Sequence, residues 1–263
     1  MEHEFGLTAL FNDYLAGVAN AILGLFHITA EHPHRPWENW IVMELLVVAL
    51  IMIAAAVLRS SLSVDKPGTI QHLFEVLHGF FQETLDQVGV HHSEKYLPYI
   101  GTIFIFILSM NLIGLVPAFE SPTMAPWVPA GLAVVTFLYF NFVGLRENGL
   151  GYLAHFAGPV RFPNPIANIA VILFLVPIEV ISVCIRPLSL TVRLYGNMFA
   201  GEQVTNVFLD LTKLVIPVIF MGLHVFVALV QAYVFFLLTT IYIAEAVHHQ
   251  EAGHHGEGPA LMG

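Results

Sequence analysis

From Ile166 to Leu209 the chain runs for 44 residues with apolar side chains in nearly every turn. As a single helix the stretch would measure roughly 66 Å, about twice the hydrocarbon thickness of a bilayer. It is either one strongly tilted helix or two spans. Pro187 could break it, but no polar turn surrounds that proline, only Arg186 and Ser189. One kinked, steeply tilted helix is the preferred reading.

A run of that kind places the chain in lipid, and the composition agrees. Residues are 57% hydrophobic and only 11% charged, whereas soluble domains are about 45–50% apolar. The expected fold is an all-α integral membrane protein. The net charge is −10, and the nine Lys and Arg residues form no tract that could neutralise a run of phosphates, which excludes nucleic acid as a partner. Cys184 is the single cysteine, so disulfides within the chain and thiolate metal sites are ruled out. It reads as a small buried hydrophobe. No glycine-rich phosphate loop and no repeat is visible. The first 26 residues carry acids but no Lys or Arg, so they lack the basic start of a signal peptide and read as a retained amphipathic lead-in.

Four further apolar runs complete a set of about five membrane helices: 41–58, 97–116, 128–145, 166–209 and 214–246. Trp37 and Trp40 precede the first, where aromatic rings favour the headgroup level. Residues 68–88 differ: Ile70, Leu73, Phe74, Leu77, Phe81, Leu85 and Val88 recur at helical spacing, with polar residues on the other faces. That pattern predicts an amphipathic helix lying on the membrane surface or against a partner. A Pro-rich turn from Pro117 to Pro129, holding Glu120, joins the second and third runs. A polar turn from Asp210 to Lys213 joins the last two, which should form a long antiparallel hairpin. Residues 1–39 form an N-terminal segment, 40–247 one membrane domain, and 248–263 a His-, Glu- and Gly-rich tail expected to be disordered. Arg59, Lys66, Lys95, Arg146 and Arg161 fall on one side, against Arg35 and Lys213 on the other. Basic residues favour the cytoplasmic face, so the N-terminus should be outside and the C-terminus cytoplasmic.

Arg193 lies inside the long run, where a charged group costs about 2.5–3.5 kcal/mol and needs a partner. On a helix Glu202 sits roughly 180° from it and cannot serve. Glu179, Ser182, Arg186, Ser189 and Asn197 all fall within about 40° of its direction, a polar stripe that needs a wet cavity or a partner surface. The missing acid should therefore sit on another protein. If the last two helices fold back about Lys213, facing residues have numbers summing to about 426. Glu202 then meets His224, Arg193 lies near Tyr233 and Gln231, and Glu179 lies near the level of Glu245.

The run Arg193-Leu-Tyr-Gly-Asn-Met-Phe-Ala-Gly-Glu202, with His224 and Gln231 seven apart, resembles the subunit a family of the rotary ATP synthase, and the resemblance extends from about Trp40 to His249. It implies a non-catalytic, proton-translocating stator subunit of a bacterial inner membrane, with no cofactor and no metal. Its partners would be the c-subunit rotor ring, the b subunits of the peripheral stalk and the lipid bilayer. Arg193 would face the ring carboxylates and separate two half-channels. Glu202 and His224 would serve the inlet, and a static ion pair between two helices is the plainer alternative. Glu179 and Glu245 would serve the outlet, although acids at helix ends are common. Gln231 would hold Arg193, or simply bond another helix. Asn111 would lie beside the proton path, or make an interhelical hydrogen bond. Asn197, Ser182 and Ser189 complete the stripe. Two rival classes fit less well. A haem between spans wants facing histidines, and His224 is the sole mid-span histidine. Secondary transporters usually show inverted repeats, and none is visible.

Overall fold

The computed structural model describes residues 6–25, 35–63, 68–90, 93–116, 119–149, 165–211 and 215–247. Among these residues there are seven α-helices, one short 3-10 turn and no strand: α1 Gly6–Leu25, α2 Asn39–Ser61, α3 Thr69–Gln87, α4 Ser93–Ile113, the 3-10 turn Pro122–Met124, α5 Trp127–Asn148, α6 Pro165–Leu211 and α7 Val215–Val247. Parts of α2, α4, α5, α6 and α7 are long and apolar enough to cross a membrane: Asn39–Ser60, Ser93–Ile113, Trp127–Glu147, Leu173–Phe208 and Val218–Val247. Helices suit that solvent because every backbone N–H and C=O is satisfied within the segment. The amphipathic pattern of residues 68–88 becomes α3. Outside the described residues lie the tail 248–263, the loop holding His155, Arg161 and Pro163, the turn at Lys213, and also Lys66 and Pro117.

The 166–209 stretch is one helix. α6 spans 47 residues and carries Pro177 and Pro187 inside it. Each proline removes one backbone donor and crowds the preceding turn, which kinks a helix without ending it when the rest of the ladder is intact. Near the second proline, Thr191 donates its hydroxyl to the carbonyl of Pro187 at 2.8 Å.

The chain divides into two compact units, both built from non-contiguous segments. The first comprises residues 1–74, 103–128 and 194–232. Here Asn12 on α1 clasps the chain before α2: its amide donates to the Trp37 carbonyl at 3.2 Å, and its side-chain oxygen accepts from the Trp37 N–H at 3.0 Å. The Trp37 ring meets Phe11 edge-on. The inward stripe of α2, with Val42, Met43 and Val47 buried, packs on the 3-10 turn. That turn is tied back to the end of α4. Ser121 donates to the Met110 carbonyl at 3.0 Å and lies 2.7 Å from the Thr123 hydroxyl, and Thr123 donates to Asn111 Oδ1 at 2.9 Å.

The second unit comprises residues 75–102, 129–193 and 233–263. Its centre is aromatic. Phe81 lies 4.7 Å from Phe236 between ring centroids, Phe80 joins both Phe236 and Tyr233, and Phe140 reaches Tyr242. Tyr99 stacks on Tyr139 at 3.6 Å, and Lys95 at the start of α4 forms an ion pair with Glu147 at the end of α5. Such rings supply large buried area and prefer offset or edge-on contact, which fixes how the helices rotate against each other.

Candidate functional site

The polar residues of α6 and α7 fall into two clusters, one in each unit. In the first unit the two helices run antiparallel, and Asn197 Nδ2 donates to Gln231 Oε1 at 2.7 Å. Gln231 is only 3% exposed, so its amide is committed to this bond and to little else. One turn along α6, Gly201 packs against the imidazole of His224. A Cβ built on Gly201 would lie 3.0 Å from Nδ1 and 3.3 Å from Cε1 of that ring. The ring is 9% exposed, and its Nε2 is buried with no hydrogen-bond partner among the described residues.

Glu202 is half-buried next to the same spot. No hydrogen bond or ion pair joins it to His224. The residue that faces the ring is Gly201, one position earlier than the fold-back count expects. The absence of a side chain there is what lets the imidazole lie on the helix backbone.

Asn111, near the end of α4, is fully buried, and its oxygen is held by Thr123 in the turn that follows its own helix rather than by another helix. Its Nδ2 has no partner among the described residues. Gly114 permits this knot, because a Cβ there would lie 2.8 Å from the Ser121 Cβ. Ser121, Thr123 and Gly114 escaped sequence reading. They sit in a Pro-rich turn whose polar residues look solvent-facing until the chain folds back on α4.

In the second unit, Arg186 of α6 forms a two-pronged pair with Glu245 of α7: Nη1 to Oε2 at 2.7 Å and Nη2 to Oε1 at 2.8 Å. Its guanidinium also lies over the Tyr242 ring, 4.9 Å from the centroid. The expected neighbour of Glu245 was Glu179, but the pair that forms is with Arg186. Helical side chains lean toward the N-terminus of their own helix. On antiparallel helices this carries the two head groups past each other and shifts the partner by about a turn from a Cα-level count. Glu179 is half-buried and within electrostatic reach of Arg186.

Arg193, two turns past Arg186 and four residues before Asn197, is exposed. Among the described residues it forms no ion pair and no hydrogen bond. Ser182 and Ser189 are exposed too. The stripe thus carries one paired cation and one unpaired cation, in a segment hydrophobic enough to cross a bilayer. Among the described residues there is no group of His, Cys, Asp or Glu that could hold a metal ion.

A family model described as the ATP synthase A chain matches residues 40–244. The ATP synthase subunit a of Solibacter usitatus (strain Ellin6076) is 53% identical over 242 residues, which covers 92% of this chain and 100% of that one. The subunit a of Koribacter versatilis (strain Ellin345) is 46% identical over 250 residues, with 95% and 99% covered. The subunit a of Sulfurihydrogenibium sp. (strain YO3AOP1) is 35% identical over 214 residues, with 81% and 99% covered.

Proposed function

Because the chain belongs to the ATP synthase A chain family, and is thus a non-catalytic membrane subunit of that enzyme, we propose that it passes protons through two offset half-channels to and from carboxylates on a rotor ring. The observation that carries this reading is Arg193, an exposed guanidinium on a membrane-length helix with no acid among the described residues to neutralise it. An unpaired cation at that depth is costly, and a passing carboxylate on a neighbouring subunit would relieve the cost. Arginine does not release its proton, so it cannot relay one. It keeps each arriving carboxylate ionised.

The inlet uses Glu202 and His224, with Asn111 beside it. The bare face of Gly201 and the unpartnered His224 Nε2 support a ring that hands protons on rather than one locked in a static pair. Imidazole and carboxyl groups can both exchange protons near neutral pH once their surroundings bring them there. A proton received there neutralises a ring carboxylate, which can then enter lipid. After the ring has turned, Arg193 draws the next carboxylate into its ionised form and the released proton leaves past Glu179, on the stripe with Ser182 and Ser189. Asn197 and Gln231, bonded to each other, hold the two helices together beside Arg193 along the chain. Each proton crossing 100 mV releases about 2.3 kcal/mol, which turns the ring. The partners are the c-subunit ring, the b subunits of the peripheral stalk and lipid, in the inner membrane of a bacterium, with the N-terminus outside.

Lysine at position 193 keeps the charge but loses the planar fork. ATP-driven acidification of inverted membrane vesicles should fail in Arg193→Lys, and undiminished pumping would refute the proposed role. Exchanging Glu202 and His224 should preserve more pumping than losing either one. Equal loss in the exchange and in the single variants would count against a shared inlet.

A further inference from the structure

The second of the two prolines inside α6 falls just before the residue on which the proposed function depends. Pro187 has no N–H to return to the carbonyl of Val183, and its ring crowds that carbonyl, so the turn 183–187, like the turn before Pro177, has less of its own ladder to resist twisting than the proline-free turns of the helix. Arg193 lies six residues beyond. A slip of one residue in the rotation of α6 would swing Arg193 by about 100°.

The side chain immediately before the proline is the one that is tied. Arg186 grips Glu245 with both prongs of its guanidinium, at 2.7 and 2.8 Å, and stacks over Tyr242 one turn earlier on α7. A bidentate pair fixes orientation as well as distance, since each of two parallel N–H groups must point at its own carboxylate oxygen. The Arg186 side chain is 18% exposed and the Glu245 side chain 43%, so the guanidinium is the more enclosed partner. Arg186 and Arg193 are seven residues apart, which puts them within about 20° of each other around the helix. Whatever sets the direction of Arg186 therefore sets that of Arg193.

We infer that the Arg186–Glu245 pair, seated on Tyr242, is a rotational clamp: it holds the proline-weakened turn of α6 at the angle that leaves Arg193 exposed to a partner subunit. Arg186 is thus a positioning residue, and Glu245 serves as its fixed anion rather than as a carrier of protons. The inference rests on the proposed function only for the task given to Arg193.

The test uses the assembled synthase in inverted membrane vesicles. Cys184, which is exposed and not buried as its apolar run suggests, is replaced by serine, and single cysteines are placed in turn at Leu188, Ser189, Val192 and Gly196. Labelling by silver ion reads which face of α6 is open. Glu245→Gln and Arg186→Lys keep side-chain size but lose the bidentate charge pair, and Arg186→Leu loses it outright. Each should shift the labelling pattern and lower ATP-driven acidification about fivefold or more. The exchange Arg186→Glu with Glu245→Arg should restore the original pattern and at least about half of the pumping. An unshifted pattern in the single variants, undiminished pumping in them, or an exchange no better than the singles would each overturn the clamp. If Arg193→Lys pumps normally, the role of Arg193 falls, while the labelling pattern still decides the clamp.

Discussion

His224 has room to lie against α6 because residue 201 has no side chain. Its ring sits closer to an imagined Cβ than ordinary van der Waals contact allows, with 3.0 Å to Nδ1. Alanine there asks the imidazole to move by a few tenths of an ångström. A β-branched residue adds two more atoms into the same space. Overpacking of this kind costs about 1–3 kcal/mol. Gly201→Val should therefore lower ATP-driven acidification severalfold and reduce thermal stability in detergent, with Gly201→Ala close to the parent on the second measure. The residues of the proposed inlet are chemically ordinary, and the glycine beside them is what makes their arrangement possible.

At the level of elements, the turn between α4 and α5 depends on a small buried polar set instead of a hydrophobic contact. Ser121 and Thr123 are almost wholly enclosed, and their hydroxyls satisfy the Met110 carbonyl and the Asn111 oxygen. Removing one member strands the other, and a buried unsatisfied acceptor costs about 1–3 kcal/mol. Thr123→Val should lower the midpoint of thermal unfolding in detergent, measured by tryptophan fluorescence. Gly114→Ala should do the same, because its Cβ would meet the Ser121 Cβ at 2.8 Å, a clash with atoms the turn cannot easily move. Thr136→Val, on α5, provides the comparison. Among the described residues its hydroxyl meets Tyr99 alone, at 3.4 Å, so it should lose less than Thr123→Val.

For the molecule as a whole, the number of membrane-length segments carries a consequence. Among the described residues there are five, an odd number, and five crossings would put the two ends of the chain on opposite sides of the bilayer. Basic residues at Arg59, Lys95 and Arg146 mark one side, and basic flanks stay cytoplasmic. A reporter active only in the cytoplasm should work when fused at the C-terminus and fail when fused at the N-terminus. Activity at both ends, or at neither, would refute an odd number of crossings. The large apolar side chains left exposed on the flanks of these helices, among them Leu50, Met52, Phe142, Leu173 and Phe226, suit a lipid surround.

The sequence by itself determined the class of fold. Apolar runs near bilayer length leave no choice but helices, because a backbone in hydrocarbon must satisfy its own hydrogen bonds. The spacing of Arg193, Asn197, Glu202, His224 and Gln231 also singled them out as candidate site residues, since polar groups in an apolar run are costly in lipid. Tertiary structure decided which of them touch. Asn197 pairs with Gln231, Gly201 rather than Glu202 meets the His224 ring, and Glu245 goes to Arg186 instead of lying beside Glu179. A count of residues gives the level of each Cα but not the lean of its side chain, and an extended arginine side chain reaches about a helical turn. The continuity of α6 through two prolines was likewise open in the sequence. A proline removes only one bond of the ladder, and the surrounding packing decides whether the helix ends there.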